Sequence, residues 1–143
     1  MPTEAAPSAA PRGFSVLVAE DNEINALLMR SLLTRLGHQA VITTNGEEAL
    51  ESWLAAKSAG APYDLVLMDI QMPGLDGIEA TKRIRSLEAA HGSKRTPILA
   101  LTANTLVEDR YACFEAGMDG FLVKPLDREK LSEALVGLAA PVA

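Results

Sequence analysis

Short apolar runs alternate along this chain with longer stretches whose apolar residues recur every three or four positions. The alternation predicts strands and amphipathic helices in turn. Residues 15–19 (SVLVA) read as a first strand. A helix over 22–37 follows, with Ile24, Leu27, Leu28, Leu32 and Leu36 on one face and Gly37 placed to end it. Residues 39–43 predict a second strand, and 47–59 a helix that buries Ala49, Leu50, Trp53 and Leu54 before Gly60. The run 63–69 (YDLVLMD) is the most strand-like, and its unbroken apolar centre suits a strand covered on both faces. A loop with Pro73 and Gly74 leads to a helix over 77–90, with Ile78, Ile84 and Leu87 inward. Residues 97–102 (PILALT) predict a fourth strand, 106–116 a helix closed by Gly117, and 120–123 a fifth strand. Asp127 is placed to cap a last helix that ends near Leu138.

Five strand–helix units in succession point to an α/β fold with a parallel sheet. Right-handed crossovers put helices on both faces of such a sheet. Ligands then bind beyond the carboxyl ends of the strands. Residues 1–13 show no hydrophobic period and are rich in Ala and Pro, so they read as a flexible tail or linker ahead of one domain over 14–140. At 143 residues and 48% hydrophobic, the chain can fill one core. The formal net charge of −6 argues against a nucleic-acid surface, which would need a basic patch. A single cysteine, Cys113, permits no intrachain disulfide and fits a reducing compartment such as the cytoplasm. No apolar run reaches the ~18 residues of a membrane span, and the N-terminus lacks the apolar segment of a secretory signal.

The strand ends carry the chemistry. The first strand ends at Glu20 and Asp21, the third at Asp69, the fourth at Thr102 and the fifth at Lys124-Pro125. Three clustered carboxylates repel, and they must protonate or bind a cation. A hard divalent ion, Mg²⁺, suits oxygen ligands of this kind. Asp69 is then a candidate nucleophile toward phosphorus, with Lys124 a point charge and Thr102 a hydroxyl donor for phosphoryl oxygens. Phosphoryl transfer needs mainly positioning and charge neutralisation, and these groups supply both.

The segments VLVAEDNEIN (16–25), LVLMDIQMPGLDGIEA (65–80), ILALTAN (98–104) and GFLVKPL (120–126) resemble the receiver domains of two-component response regulators. The wording MDIQMPGLDG and ALTAN is most similar to receivers of hybrid histidine kinases and their phosphorelay partners. The resemblance implies a flavodoxin-like (βα)5 doubly wound parallel sheet with strand order 2-1-3-4-5. It implies that Asp69 is the phosphoacceptor, that Asp21 binds Mg²⁺ directly and Glu20 largely through water, and that the backbone carbonyl of Gln71 completes the metal shell. Thr102 and Lys124 would hold the phosphoryl group, and a cis peptide would join Lys124 to Pro125. Phosphorylation would draw Thr102 toward the phosphoryl group and turn Phe121 inward, which shifts the face formed by the fourth helix, fifth strand and fifth helix. Gln71 and Asn104 hold the positions best suited to tune the lifetime of the phosphorylated state. The implied partners are a histidine kinase, a histidine phosphotransfer protein, or both, with no nucleic acid and no membrane contact. The expected state is a monomer, with dimerisation on phosphorylation left open.

Ordinary structural roles compete for each residue taken singly. Glu20-Asp21 suits a helix N-terminus, Lys124 a turn before proline, and Phe121 plain core. Trp53 reads as helix packing, Cys113 as a small core residue, His38 and His91 as surface, and Arg83 and Arg85 as a solvated helix face. Asp76 and Gly77 read as a turn and helix start outside the site. Among rival functions, a phosphatase with an aspartyl nucleophile, of the haloacid dehalogenase type, needs a second acid two residues after it. Gln71 stands there, so the receiver is expected to act only on its own phosphorylation and dephosphorylation. A degenerate receiver would lack some of the site residues, and all are filled. A dinucleotide-binding domain would need a glycine-rich loop, absent from 16–25. The chain ends at Ala143 without an output domain, which fits a piece of a hybrid kinase or a stand-alone response regulator.

Overall fold

The computed structural model describes residues 13–70, 76–92, 94–102, 107–123 and 127–139. The elements alternate as expected: β1 (Ser15–Ala19), α1 (Glu23–Arg35), β2 (Gln39–Thr43), α2 (Gly46–Ser58), β3 (Leu65–Asp69), α3 (Gly77–His91), β4 (Ile98–Thr102), α4 (Val107–Ala116), β5 (Gly120–Val123) and α5 (Arg128–Ala139). All strand pairings are parallel, in the order β2-β1-β3-β4-β5. This is the doubly wound sheet in which the order reverses direction between β1 and β3. Among the described residues no helix is long and apolar enough to cross a membrane.

Period-2 alternation sends the two sides of β1, β3 and β4 into two cores. Leu17, Ala19, Val66, Met68, Ile98 and Ala100 pack with Trp53, Ala80, Ile84 and Cys113 on one face. Val16, Val18, Leu65, Leu67 and Leu101 pack with Met29, Leu33, Leu131 and Leu135 on the other. β3 is buried along its whole length, as its continuous apolar run requires. Helix starts follow local chemistry. Asn22, Asn45 and Asp76 each accept a backbone N–H from the residue three positions on, and Asp127 accepts that of Lys130. Gly37, Gly60, Gly92 and Gly117 take positive φ where helices end.

Three expectations fail. The buried face of α1 is Ala26, Met29 and Leu33, with Leu32 and Leu36 at its margin, whereas Ile24, Leu27 and Leu28 are exposed. Apolar residues run around most of this helix, so spacing supports two stripes, and packing on the sheet buries the one that starts at Ala26. Arg85 is not solvated. Its guanidinium donates to the carbonyls of Thr96 and Gly117 and pairs with Glu88 and Asp119, while Arg83 is exposed. The buried Glu88 in turn accepts the Thr96 N–H at 2.7 Å, and Trp53 donates to the Thr96 hydroxyl. These bonds tie α2, α3 and the starts of β4 and β5 at the edge opposite the strand ends. His38, expected at the surface, is half-buried, stacks on Phe14 and accepts the Phe14 N–H at Nδ1.

Two outcomes follow from these contacts. Arg85→Ala leaves Glu88 buried without its cation, and urea denaturation is expected to show a loss of about 3 kcal/mol. Burial holds the pKa of His38 below its ordinary value. The unfolded chain therefore takes up this proton first as pH falls. The His38 contribution is present above about pH 6.5 and is lost as pH falls through the lower, folded value. Replacing His38 by Asn should remove that part of the acid sensitivity in melts between neutral and mildly acid pH.

Candidate functional site

Sheet register sets the site. Ala19 pairs with Met68 and Asp69 with Leu101, so β1, β3 and β4 end at nearly one level. Glu20 leaves β1 with its N–H on the Thr43 carbonyl, and its carboxylate accepts the Asn22 N–H at 3.1 Å. Asn22 also caps α1, so one short turn both starts the helix and orients an acid. Glu20, at 1% exposure, and Asp69, at 3%, are buried, while Asp21 faces solvent. One carboxylate oxygen from each of the three lies within 4.8 Å of the others. The donor set is all oxygen, two members buried and one open to water. That fits a hard divalent cation such as Mg²⁺, and not a soft one.

Thr102 is buried at the end of β4, one residue beyond the partner of Asp69. Phe121 lies half-buried in β5, in register with Ala100. The Arg110 guanidinium sits 4.5 Å above the Phe121 ring, and Phe114 meets that ring edge-on with centroids 6.4 Å apart. Gln71, Asn104, Lys124 and Pro125 lie outside the described residues, and with them the carbonyl ligand, the phosphoryl lysine and the cis peptide.

Two features of the surroundings escaped the sequence reading. Gly77, read as a plain helix start, packs against the backbone of Asp69. The pair Asp76-Gly77 at the first turn of α3 is the only trace of this in the sequence. Arg110 over Phe121 brings together residues from α4 and β5, and no local pattern signals the contact.

A family model described as "Response regulator receiver domain" matches residues 16–136. Hybrid signal transduction histidine kinase I of Dictyostelium discoideum is 42% identical over 84% of this chain. The receiver domain of the sensor histidine kinase PA1611 from Pseudomonas aeruginosa, solved with a magnesium ion coordinated in its active-site cleft, is 36% identical. It superposes with a TM-score of 0.77 over 90% of this chain and 99% of its own. The receiver of the response regulator Ssk1 from Saccharomyces cerevisiae, solved with the histidine phosphotransfer protein Ypd1, is 32% identical with a TM-score of 0.78. That match covers 87% of this chain and 88% of the Ssk1 receiver. The chain spans only 7% of the length of the Dictyostelium kinase and 14% of the similar sensor kinase GacS of Pseudomonas protegens. With the sheet order, the acidic site and the family match together, the chain belongs to the response regulator receiver domains of two-component phosphorelays.

Proposed function

We propose that Asp69 accepts a phosphoryl group from a phosphohistidine of a histidine kinase or a histidine phosphotransfer protein. The convergence of the Glu20, Asp21 and Asp69 carboxylates at one strand edge carries this reading. An Asp69 oxygen attacks phosphorus and forms the new O–P bond. The N–P bond of the donor breaks, and its electron pair returns to the imidazole nitrogen. Mg²⁺, when bound, offsets the charge between carboxylate and phosphoryl oxygens. Asp21 would ligate it directly, Glu20 largely through water, and the Gln71 carbonyl would complete the protein's share. The Thr102 hydroxyl donates to one phosphoryl oxygen, and Lys124 pairs with another. No acid follows Asp69 at the position a phosphatase of this chemistry uses, since Gln71 stands there. The chain's own reactions are therefore phosphorylation and loss of its aspartyl phosphate.

The donor docks on the exposed apolar side chains Ile24, Leu27 and Leu28 of α1, beside the site. Complex formation between the Ssk1 receiver and a phosphotransfer protein supports a partner of that class. Once phosphorylated, Thr102 is drawn to the phosphoryl group and Phe121 turns inward, away from Arg110 and Phe114. The surface of α4, β5 and α5 then carries the signal, with the exposed Tyr111 and Phe114 as its apolar part. The parent is a hybrid histidine kinase, a reading supported by the histidine kinases among its relatives. Residues 1–13 serve as a linker and 14–140 form the receiver, a division supported by the family match over 16–136. The receiver is a cytoplasmic domain, a monomer before phosphorylation, with dimerisation on phosphorylation left open.

With Mg²⁺ and acetyl phosphate, intact-mass spectrometry should show one added phosphoryl group on the wild-type chain and none on a folded Asp69→Asn variant. Chelation of the metal should abolish the gain. A phosphorylated Asp69→Asn chain, or a wild-type chain that stays unmodified in Mg²⁺, would sink the assignment.

A further inference from the structure

Gly77 begins α3 and is buried. It takes no positive φ, so backbone freedom is not what the position needs. What it needs is space. A Cβ here would run into the carbonyl oxygen of Asp69, lie 2.9 Å from its carbonyl carbon and 2.7 Å from Met68 Cγ. Real Cβ contacts essentially never fall under 3.0 Å. The helix start and the end of β3 therefore touch through bare backbone.

Further bonds hold each side of this contact in shape, the first turn of α3 on one and the end of β3 on the other. The Thr81 hydroxyl, fully buried, donates to the Gly77 carbonyl at 2.8 Å. Asp76 caps the helix by accepting the Glu79 N–H at 2.9 Å, and its own carbonyl accepts the Ala80 N–H. On the other side, Asp69 is in register with Leu101, whose carbonyl accepts the Ile70 N–H at 3.3 Å. The main chain of Asp69 thus lies between β4, to which it is bonded, and the first turn of α3, which closes on it at Gly77.

We infer that Gly77 is a positioning residue for phosphoryl transfer: its bare backbone, held in the first turn of α3 by Thr81, sets where the Asp69 carboxylate stands relative to Glu20 and Asp21. The inference rests on Asp69 as phosphoacceptor. A methyl at Gly77 must push the end of β3 or the start of α3 by on the order of 1 Å, and such a displacement slows a positioned reaction by about a hundredfold. A group that served only to fill the core would change stability and leave the rate of the folded protein alone.

The test uses the whole chain with Mg²⁺ and acetyl phosphate, so that no docking partner is involved. The phosphorylation rate is measured over a Mg²⁺ series, and stability by urea denaturation, for wild type, Gly77→Ala and Leu33→Ala. Leu33 is a buried α1 residue away from the site, and its truncation supplies a destabilised control. Gly77→Ala should slow the rate at saturating Mg²⁺ by about ten- to hundredfold, while Leu33→Ala keeps the wild-type rate. A wild-type rate in Gly77→Ala, or an equal slowing in both variants, overturns the inference. If Gly77→Ala does not fold, Thr81→Val decides. A severalfold slower rate, restored in Thr81→Ser, supports the inference, and an unchanged rate overturns it. An unphosphorylated wild-type chain would instead overturn the assignment of Asp69 itself.

Discussion

Two buried carboxylates, Glu20 and Asp69, stand side by side at the edge of a sheet that is apolar along most of its length. Water would hold each of these groups far better than a protein interior does, and the penalty is several kcal/mol per ion. The rest of the structure is what keeps them there. β3 is buried from end to end and flanked by two cores, and each strand beside it is locked in parallel register. A cation among the three acids would offset the repulsion. The fold thus gathers negative charge at the strand edge where the proposed phosphoryl transfer would take place.

The same geometry separates the two surfaces that such a switch requires. The exposed apolar residues of α1 lie on the side of the acids, while Tyr111 and Phe114 lie on α4. Thr102 and Phe121, on adjacent strands, span the interval between the site and α4. Phe121 has no hydroxyl, so in the proposed switch its ring would be held by packing and ring contacts and not by a hydrogen bond. In the observed position the Phe121 ring meets the Arg110 guanidinium and the edge of Phe114.

Strands and site acids were legible because they rest on local rules. Apolar runs of five residues, caps such as Asn22 and Asp127, and acids directly after strands all sit in the primary pattern. The order of the sheet and the family came from motifs rather than from periodicity. What sequence could not show depends on contacts between distant elements. The α1 stripe was misread because its apolar residues surround the helix, and only the sheet decides which side is buried. Arg85 reads as a surface cation until Thr96, Gly117 and Asp119 are brought around it. Likewise Gly77 is one more helix-start residue until the Asp69 carbonyl is seen against its Cα hydrogens.

The most direct test of the acidic site is a crystal structure of this chain grown with Mg²⁺ and beryllium fluoride, a phosphoryl mimic. The account predicts the mimic bonded to an Asp69 carboxylate oxygen, a cation among Glu20, Asp21 and Asp69, and the Thr102 hydroxyl turned toward the mimic. Well-ordered density with Asp69 unmodified, or with the cation held by other residues, would contradict it.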